Sequence, residues 1–274
     1  MSAKFDATRR GVFGLAAALP IAACANGATA QVGAITLTPQ SVEGPYYFDP
    51  ALERADIRED RVGVPLTLAL KILGSDGRAF PNARVDIWHC DASGAYSGYA
   101  GQGDARVDMR NAKFLRGTQF SNATGDVAFQ TIYPGWYQGR TAHIHFKVFL
   151  NQQTVLTAQM YFPDALSEYL YKHAPPYQRQ SARDTFNATD GIAQNATYIA
   201  FAAIKEEADH YVASLTIGVD PNAQGMTGDQ MGGGFGGPPP GGERGPPPEG
   251  FGPRRVQLSE AERVRAIVRG LPES

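Results

Sequence analysis

His143 and His145 open the run His143-Ile144-His145-Phe146-Lys147-Val148-Phe149-Leu150. Its aromatic and β-branched content predicts a strand. Side chains two apart on a strand leave the same face, so both imidazoles can reach one point. Tyr137 and Arg140 lie just upstream, in Tyr133-Pro134-Gly135-Trp136-Tyr137-Gln138-Gly139-Arg140. Imidazole is the commonest protein ligand of metal ions, and the combination suggests a metal site on a strand, entered from a loop. A His-x-His pair is also at home on the polar face of a sheet, and spacing alone leaves both readings open.

Apolar and mixed positions alternate along several short segments that could carry such a site. Strands are predicted over 65–73, 83–88, 127–132, 143–150, 154–161, 198–204 and 212–219. Ser75-Asp76-Gly77-Arg78 reads as a hairpin turn, and Asn122-Ala123-Thr124-Gly125-Asp126 turns the chain into the strand over 127–132. Residues 31–62 read as irregular, punctuated by Thr38-Pro39 and Glu43-Gly44-Pro45-Tyr46-Tyr47. One helical or irregular excursion is expected over 165–182, and 99–121 reads as a long loop without pattern. Short strands, turns between them and almost no helical periodicity predict a mainly β fold, an antiparallel β-sandwich with long active-site loops, over 31–221. Of the two cysteines, Cys24 and Cys90, only Cys90 lies in that span, so a packed core rather than a disulfide must hold it.

The strand ending at Trp88 continues His89-Cys90-Asp91-Ala92-Ser93-Gly94-Ala95-Tyr96. The order Gly44-Pro45-Tyr46, then Trp88 to Tyr96, then Pro134-Gly135-Trp136-Tyr137, then Arg140-Thr141-Ala142-His143-Ile144-His145 resembles the intradiol ring-cleavage dioxygenases. That family includes catechol 1,2-dioxygenase and protocatechuate 3,4-dioxygenase, whose beta subunit is the similar chain. The resemblance covers about residues 38–220 and implies a non-haem Fe(III) held by Tyr96, Tyr137, His143 and His145. It implies that Tyr137 and Arg140 act in catalysis, Arg140 beside the substrate. Gln159 matches a substrate-side glutamine, and Tyr46 falls in the segment lining the pocket mouth. The implied reaction is intradiol cleavage of a catechol-type diol by O2 to a cis,cis-muconate-type diacid. Two features depart from the cytoplasmic members and resemble an exported branch: the helical N-terminal dimerisation segment is missing, and the connection from Tyr137 to His143 is short. The oligomeric state stays open, a homodimer among the options.

Anionic oxygen donors suit a hard trivalent cation, and a phenolate at neutral pH needs such a cation, because free tyrosine ionises near ~10. Two other readings use the same residues. A secreted sandwich could be a non-catalytic binding module for aromatic or glycan ligands, although a relic would be expected to lack a ligand. His143 and His145 could instead bind Zn and a water for hydrolysis, against which two tyrosines weigh. His89, His173 and His210 carry no motif and read as structural; Cys90 reads as a small buried hydrophobe. Tyr133 and Trp136 are pocket wall or packing.

The ends of the chain read differently from its middle. Arg9-Arg10 precede a short apolar run, Gly14 to Ala23, the pattern of a twin-arginine export signal over 1–30. Ala28-Thr29-Ala30 offers cleavage before Gln31; Ile21-Ala22-Ala23-Cys24 offers a lipoprotein site that would leave a membrane-anchored, lipidated Cys24. The expected destination is periplasmic, extracellular or membrane-anchored. Residues 222–256 read as a disordered Gly/Pro-rich linker, and 257–274 as a short helix opened by the capping box Ser259-Glu260-Ala261-Glu262. A net charge of −2 over 274 residues offers no electrostatic case for nucleic acid.

Overall fold

The computed structural model describes residues 33–49, 51–226, 259, 261 and 262. The export signal, nearly all of the Gly/Pro-rich linker and most of the terminal helix expected from sequence lie outside them. Ser259 and Glu262 do form the reciprocal bonds of a capping box, Ser259 N–H donating to Glu262 Oε2 at 2.8 Å and Glu262 N–H to Ser259 Oγ at 3.3 Å.

Eight strands and one helix are described: β1 (Pro65–Gly74), β2 (Arg84–Trp88), β3 (Arg116–Phe120), β4 (Asp126–Ile132), β5 (His143–Leu150), β6 (Gln153–Tyr161), α1 (Asp164–His173), β7 (Ala203–Glu206) and β8 (Tyr211–Val219). They form two four-stranded sheets, β4-β1-β8-β7 and β3-β2-β5-β6, packed as the predicted sandwich. Pairings among the described strands are antiparallel except β1 with β8, which run parallel.

Three local expectations are corrected. The stretch 99–121 is not loop throughout, because β3 occupies its end; Arg116-Gly117-Thr118-Gln119-Phe120 lacks apolar alternation and is a strand through its pairing with β2. The helix is short, and a 3₁₀ turn over Pro175–Tyr177 follows it where the two prolines cannot continue an α-helix. The predicted strand over 198–204 begins instead as a 3₁₀ turn at Tyr198–Ala200, with β7 starting only at Ala203.

Alternation builds the core. Leu66, Leu68, Leu70 and Ile72 of β1 face inward with Phe129, Leu215 and Ile217, opposite Val85, Ile87, Ile144, Phe146 and Val148 from the second sheet. Each such side chain contributes about 1.5–3 kcal/mol on burial. His89, beyond the end of β2, belongs to this interior as expected: it is fully buried, Nδ1–H donates to Cys90 O at 2.8 Å, and Nε2 accepts from Thr131 Oγ1 at 2.7 Å.

The outer face of the second sheet is also covered. Residues 38–49 have almost no secondary structure, as read from sequence, yet they run as an ordered strap across all four strands. Ser41 N–H donates to Thr157 O at 2.8 Å, and Gln159 Nε2 to Val42 O at 3.0 Å. Glu43 pairs with Lys147, Tyr47 OH donates to Asp86 Oδ2 at 2.9 Å, and Arg116 Nη1 donates to Tyr46 O at 2.6 Å. Strand register lines up Arg116, Trp88, His145 and Gln159 as one row beneath this strap.

Candidate metal centre

β5 delivers His143 and His145 to that covered face, and both are buried. His143 Nδ1 lies 2.7 Å from Thr141 O, an acceptor only, so Nδ1 carries the proton and Nε2 presents its lone pair. His145 is fixed differently: the Trp88 ring stacks on it at 4.8 Å and 13°, and its Nδ1 is buried without a partner. A Cβ on Gly44 would stand 3.3 Å from His145 Cε1, at a backbone φ of +73°, so the strap passes against this imidazole only as glycine.

The two tyrosines come from loops that interlock. Asp91 Oδ1 accepts from Ser93 N–H at 2.9 Å and Ala95 N–H at 3.0 Å, which curls the chain after β2 and points Tyr96 inward. A Cβ on Gly94 would lie 2.3 Å from Trp136 O, and one on Gly135 2.3 Å from Asp91 O. Each loop therefore reads the other's backbone, which sets Tyr96 against Tyr137. Tyr46 stacks on Tyr96 at 4.4 Å and meets Tyr137 edge-on at 6.3 Å.

Four polar atoms surround His143 Nε2: His145 Nε2 at 3.1 Å, Tyr137 Oη at 3.2 Å, Tyr96 Oη at 3.4 Å and Arg140 Nη1 at 3.4 Å. One lone pair cannot satisfy them. Two donors each ~2.0–2.1 Å from a single ion and ~90–110° apart at it would stand ~2.9–3.4 Å from one another, the spacing seen here. Burial pushes both phenols up, Tyr96 well up with Tyr137 adding to it, while Arg140 partly offsets the rise at Tyr137. Burial, with Arg140 beside it, pushes His143 down to about 3, and burial with His143 and Arg140 holds His145 well below the ordinary range. By itself the cluster is neutral phenols and neutral imidazoles around a point; a cation at that point favours phenolate and uses the imidazole lone pairs. The residues fit a hard metal ion. Among the described residues no three His, Cys, Asp or Glu side chains gather at one place, so the donor set is not the trio a catalytic zinc uses.

Arg140 is held from two sides. Its Nε donates to Asp190 Oδ2 at 2.9 Å and its Nη2 to Gln159 Oε1 at 2.5 Å. Asp190, almost fully buried, also accepts from Thr141 N–H at 2.9 Å, Ile192 N–H at 2.8 Å and Ala193 N–H at 3.1 Å. Asp190 was not singled out in the sequence, because a lone Asp fifty residues from its partner carries no pattern. Gln159 stands opposite His145 in register, and its amide is committed to Arg140, Tyr161 and Val42. His89, His173 and His210 stay outside the cluster, His173 against Tyr169 and His210 against Asp209. Tyr133 is core, its ring tilted against Phe162 at 4.9 Å and its hydroxyl 2.7 Å from Ser167 Oγ. Trp136 is nearly buried beneath the Arg179 guanidinium at 4.0 Å.

A family model described as Dioxygenase matches residues 42–173, which include Tyr96, Tyr137, His143 and His145. An intradiol ring-cleavage dioxygenase from Tetranychus urticae superposes with a TM-score of 0.63 at 29% identity, over 69% of this chain and 97% of that one. A second dioxygenase crystal structure gives 0.63 at 30% identity, over 69% and 96%. Catechol 1,2-dioxygenase of Acinetobacter baylyi is 30% identical over 154 residues, 48% of each chain. The chain spans about half the length of the curated relatives it matches. With the sandwich, the order of the loops and these likenesses in agreement, the chain belongs to the intradiol ring-cleavage dioxygenase family.

Proposed function

We propose that this chain cleaves a catechol-type diol with O2 between its two hydroxylated carbons, giving a cis,cis-muconate-type diacid, with Fe(III) held by Tyr96, Tyr137, His143 and His145. The observation that carries this is the gathering of two phenol oxygens, a second imidazole nitrogen and one guanidinium nitrogen within 3.1–3.4 Å of a single atom, His143 Nε2. When bound, the ferric ion supplies a Lewis-acidic centre that makes a catecholate reactive toward O2. Tyr96, buried beneath Tyr46, is the donor that stays in place. Tyr137, less buried and 3.5 Å from Arg140 Nη1, would also hold the metal and is placed to take a proton from an entering catechol hydroxyl at its Oη. Arg140, turned into the site by Asp190, stabilises the negative charge of the ring that has given its proton to Tyr137. The rings of Tyr46, Trp88 and Tyr99 keep water away, which strengthens that charge–charge interaction.

The test is oxygen uptake by the iron-loaded protein with a panel of catechols, followed by product mass. Uptake with a product equal in mass to substrate plus one O2 is expected; a binding module would show neither. The chemistry is placed outside the cytoplasm on the strength of Arg9-Arg10 and the apolar run behind them. Mass spectrometry of the native protein should find Gln31 or a diacylated Cys24 at its N-terminus, and an intact Met1 would contradict export.

A further inference from the structure

Arg116, in β3, is only 1% exposed, an uncommon place for a guanidinium. Its three shortest links run to two segments that meet at Tyr96. Nε donates to Ser97 Oγ at 2.9 Å, Nη2 to Ser97 O at 2.8 Å and Nη1 to Tyr46 O at 2.6 Å. Ser97 follows Tyr96 in the chain, and the Tyr46 ring lies on the Tyr96 ring at 4.4 Å and 18°. One planar fork therefore holds both the backbone beside the Tyr96 phenol and the backbone of the ring stacked on it.

The surroundings lock that arrangement. The guanidinium sits over the Phe48 ring at 4.3 Å. A Cβ on Gly98, at a φ of +86°, would collide with the same ring, so the loop after Tyr96 passes the strap only as glycine. Tyr99 OH donates to Tyr47 O at 3.1 Å and Ser97 Oγ to Phe114 O at 2.7 Å. The loop of Tyr137 is anchored nearer the surface. There Trp136 O accepts from Arg179 Nη1 at 2.5 Å, and the carboxylate that pairs with Arg179, Asp104, is exposed.

We propose that Arg116 is a positioning residue that fixes the Tyr96 phenol where the metal is held, acting through Ser97 and Tyr46 rather than at the ion. This rests on the metal reading proposed above. Two carbonyls on separate segments and a hydroxyl need donors that diverge from one rigid plane. Lysine keeps the charge but presents it as a point on a flexible stem, so it does not reproduce the three bonds.

The test is the tyrosinate-to-iron absorption per bound iron, with iron affinity read by competition against a chelator, on the full iron-loaded chain well below its denaturation midpoint. Arg116→Lys should bind iron about 10–100-fold more weakly and absorb less per iron. Ser97→Ala removes one acceptor and keeps the guanidinium; it should change the absorption in the same direction, by less, and it serves if Arg116→Lys does not fold. Tyr46→Leu removes the stacked ring, and combined with Arg116→Lys it should weaken iron by less than the product of the two single effects. A merely structural arginine would lower the midpoint and leave the absorption of the folded protein unchanged. Unchanged absorption and iron affinity in folded Arg116→Lys or in Ser97→Ala would overturn the inference, as would fully multiplicative effects in the double variant. A colourless iron-loaded parent would remove the metal reading itself, whereas a coloured parent with unaltered variants removes only the role of Arg116.

Discussion

The outer faces of the two sheets carry polar side chains in the same alternation and meet opposite fates. On the first sheet Thr67, Lys71, Asp126, Gln130, Ser214 and Thr216 face out and are exposed or half-exposed. On the second, Asp86, Thr118, His143, His145, Lys147, Thr157 and Gln159 face out and are buried, because the strap over 38–49 and the loops carrying Tyr96 and Tyr137 lie across them. A polar stripe on a strand is ordinarily a solvated surface. Here it is a polar layer with its water removed, in which each group needs a named partner and charges act at full strength. The proposed metal site lies within that layer, at His143 and His145.

The largest effects are expected at the four proposed ligands, which have no counterpart on the first sheet. Tyr96→Phe should lower iron affinity by more than about a hundredfold, since even outer-shell changes cost ~10–100-fold. Tyr137→Phe should keep more iron yet slow turnover by about 10²–10⁴. Metal analysis beside steady-state kinetics separates the two, and equal iron loss in both would show that the tyrosines are not divided in role.

Next comes Asp190, a positioning residue. Asp190→Asn leaves Arg140 without its charge partner and should cost about 3–5 kcal/mol of stability, with kcat falling more than KM rises and the iron content unchanged. Loss of iron in proportion to activity would reassign Asp190 to the metal.

A matched pair of lysines then compares the faces directly. Lys147 pairs with Glu43 under the strap, while Lys71 pairs with Asp126 at 2.6 Å in the open. Lys147→Met should destabilise by about 3 kcal/mol; Lys71→Met should leave the denaturation midpoint unchanged, because exposed pairs contribute little. Equal effects would mean that the strap does not seal its face.

The smallest effect concerns His89, on the inward side of the same sheet. Burial lowers it from 6.5 to about 4. Its folded-state value lies below its unfolded one, so protonation favours unfolding: its contribution is fully present above about 6.5 and is lost as pH falls toward 4. His89→Asn should flatten that part of the stability–pH curve, and an unaltered curve would contradict the assignment.

Legibility followed local pattern. The apolar alternation of β1, β4 and β8 and the two-residue period of His143 and His145 are local, and the sandwich and the candidate centre were readable from them. β3 was missed because Arg116 to Phe120 owe their strand to partners in β2, not to their own composition. Residues 38–49 looked irregular because their order comes from single hydrogen bonds to four different strands. Asp190 was invisible for the same reason. Tyr96 and Tyr137 are unremarkable as isolated tyrosines, and only their place in an ordered set of loop motifs marked them.

The central claim, that Tyr96, Tyr137, His143 and His145 together hold Fe(III), is tested most directly by the visible absorption spectrum of the iron-loaded protein before and after adding catechol. A broad tyrosinate-to-iron band giving a red-brown colour is expected, moving to longer wavelength as catechol binds and diminished in Tyr96→Phe. A colourless protein that nevertheless contains one iron per chain would contradict it.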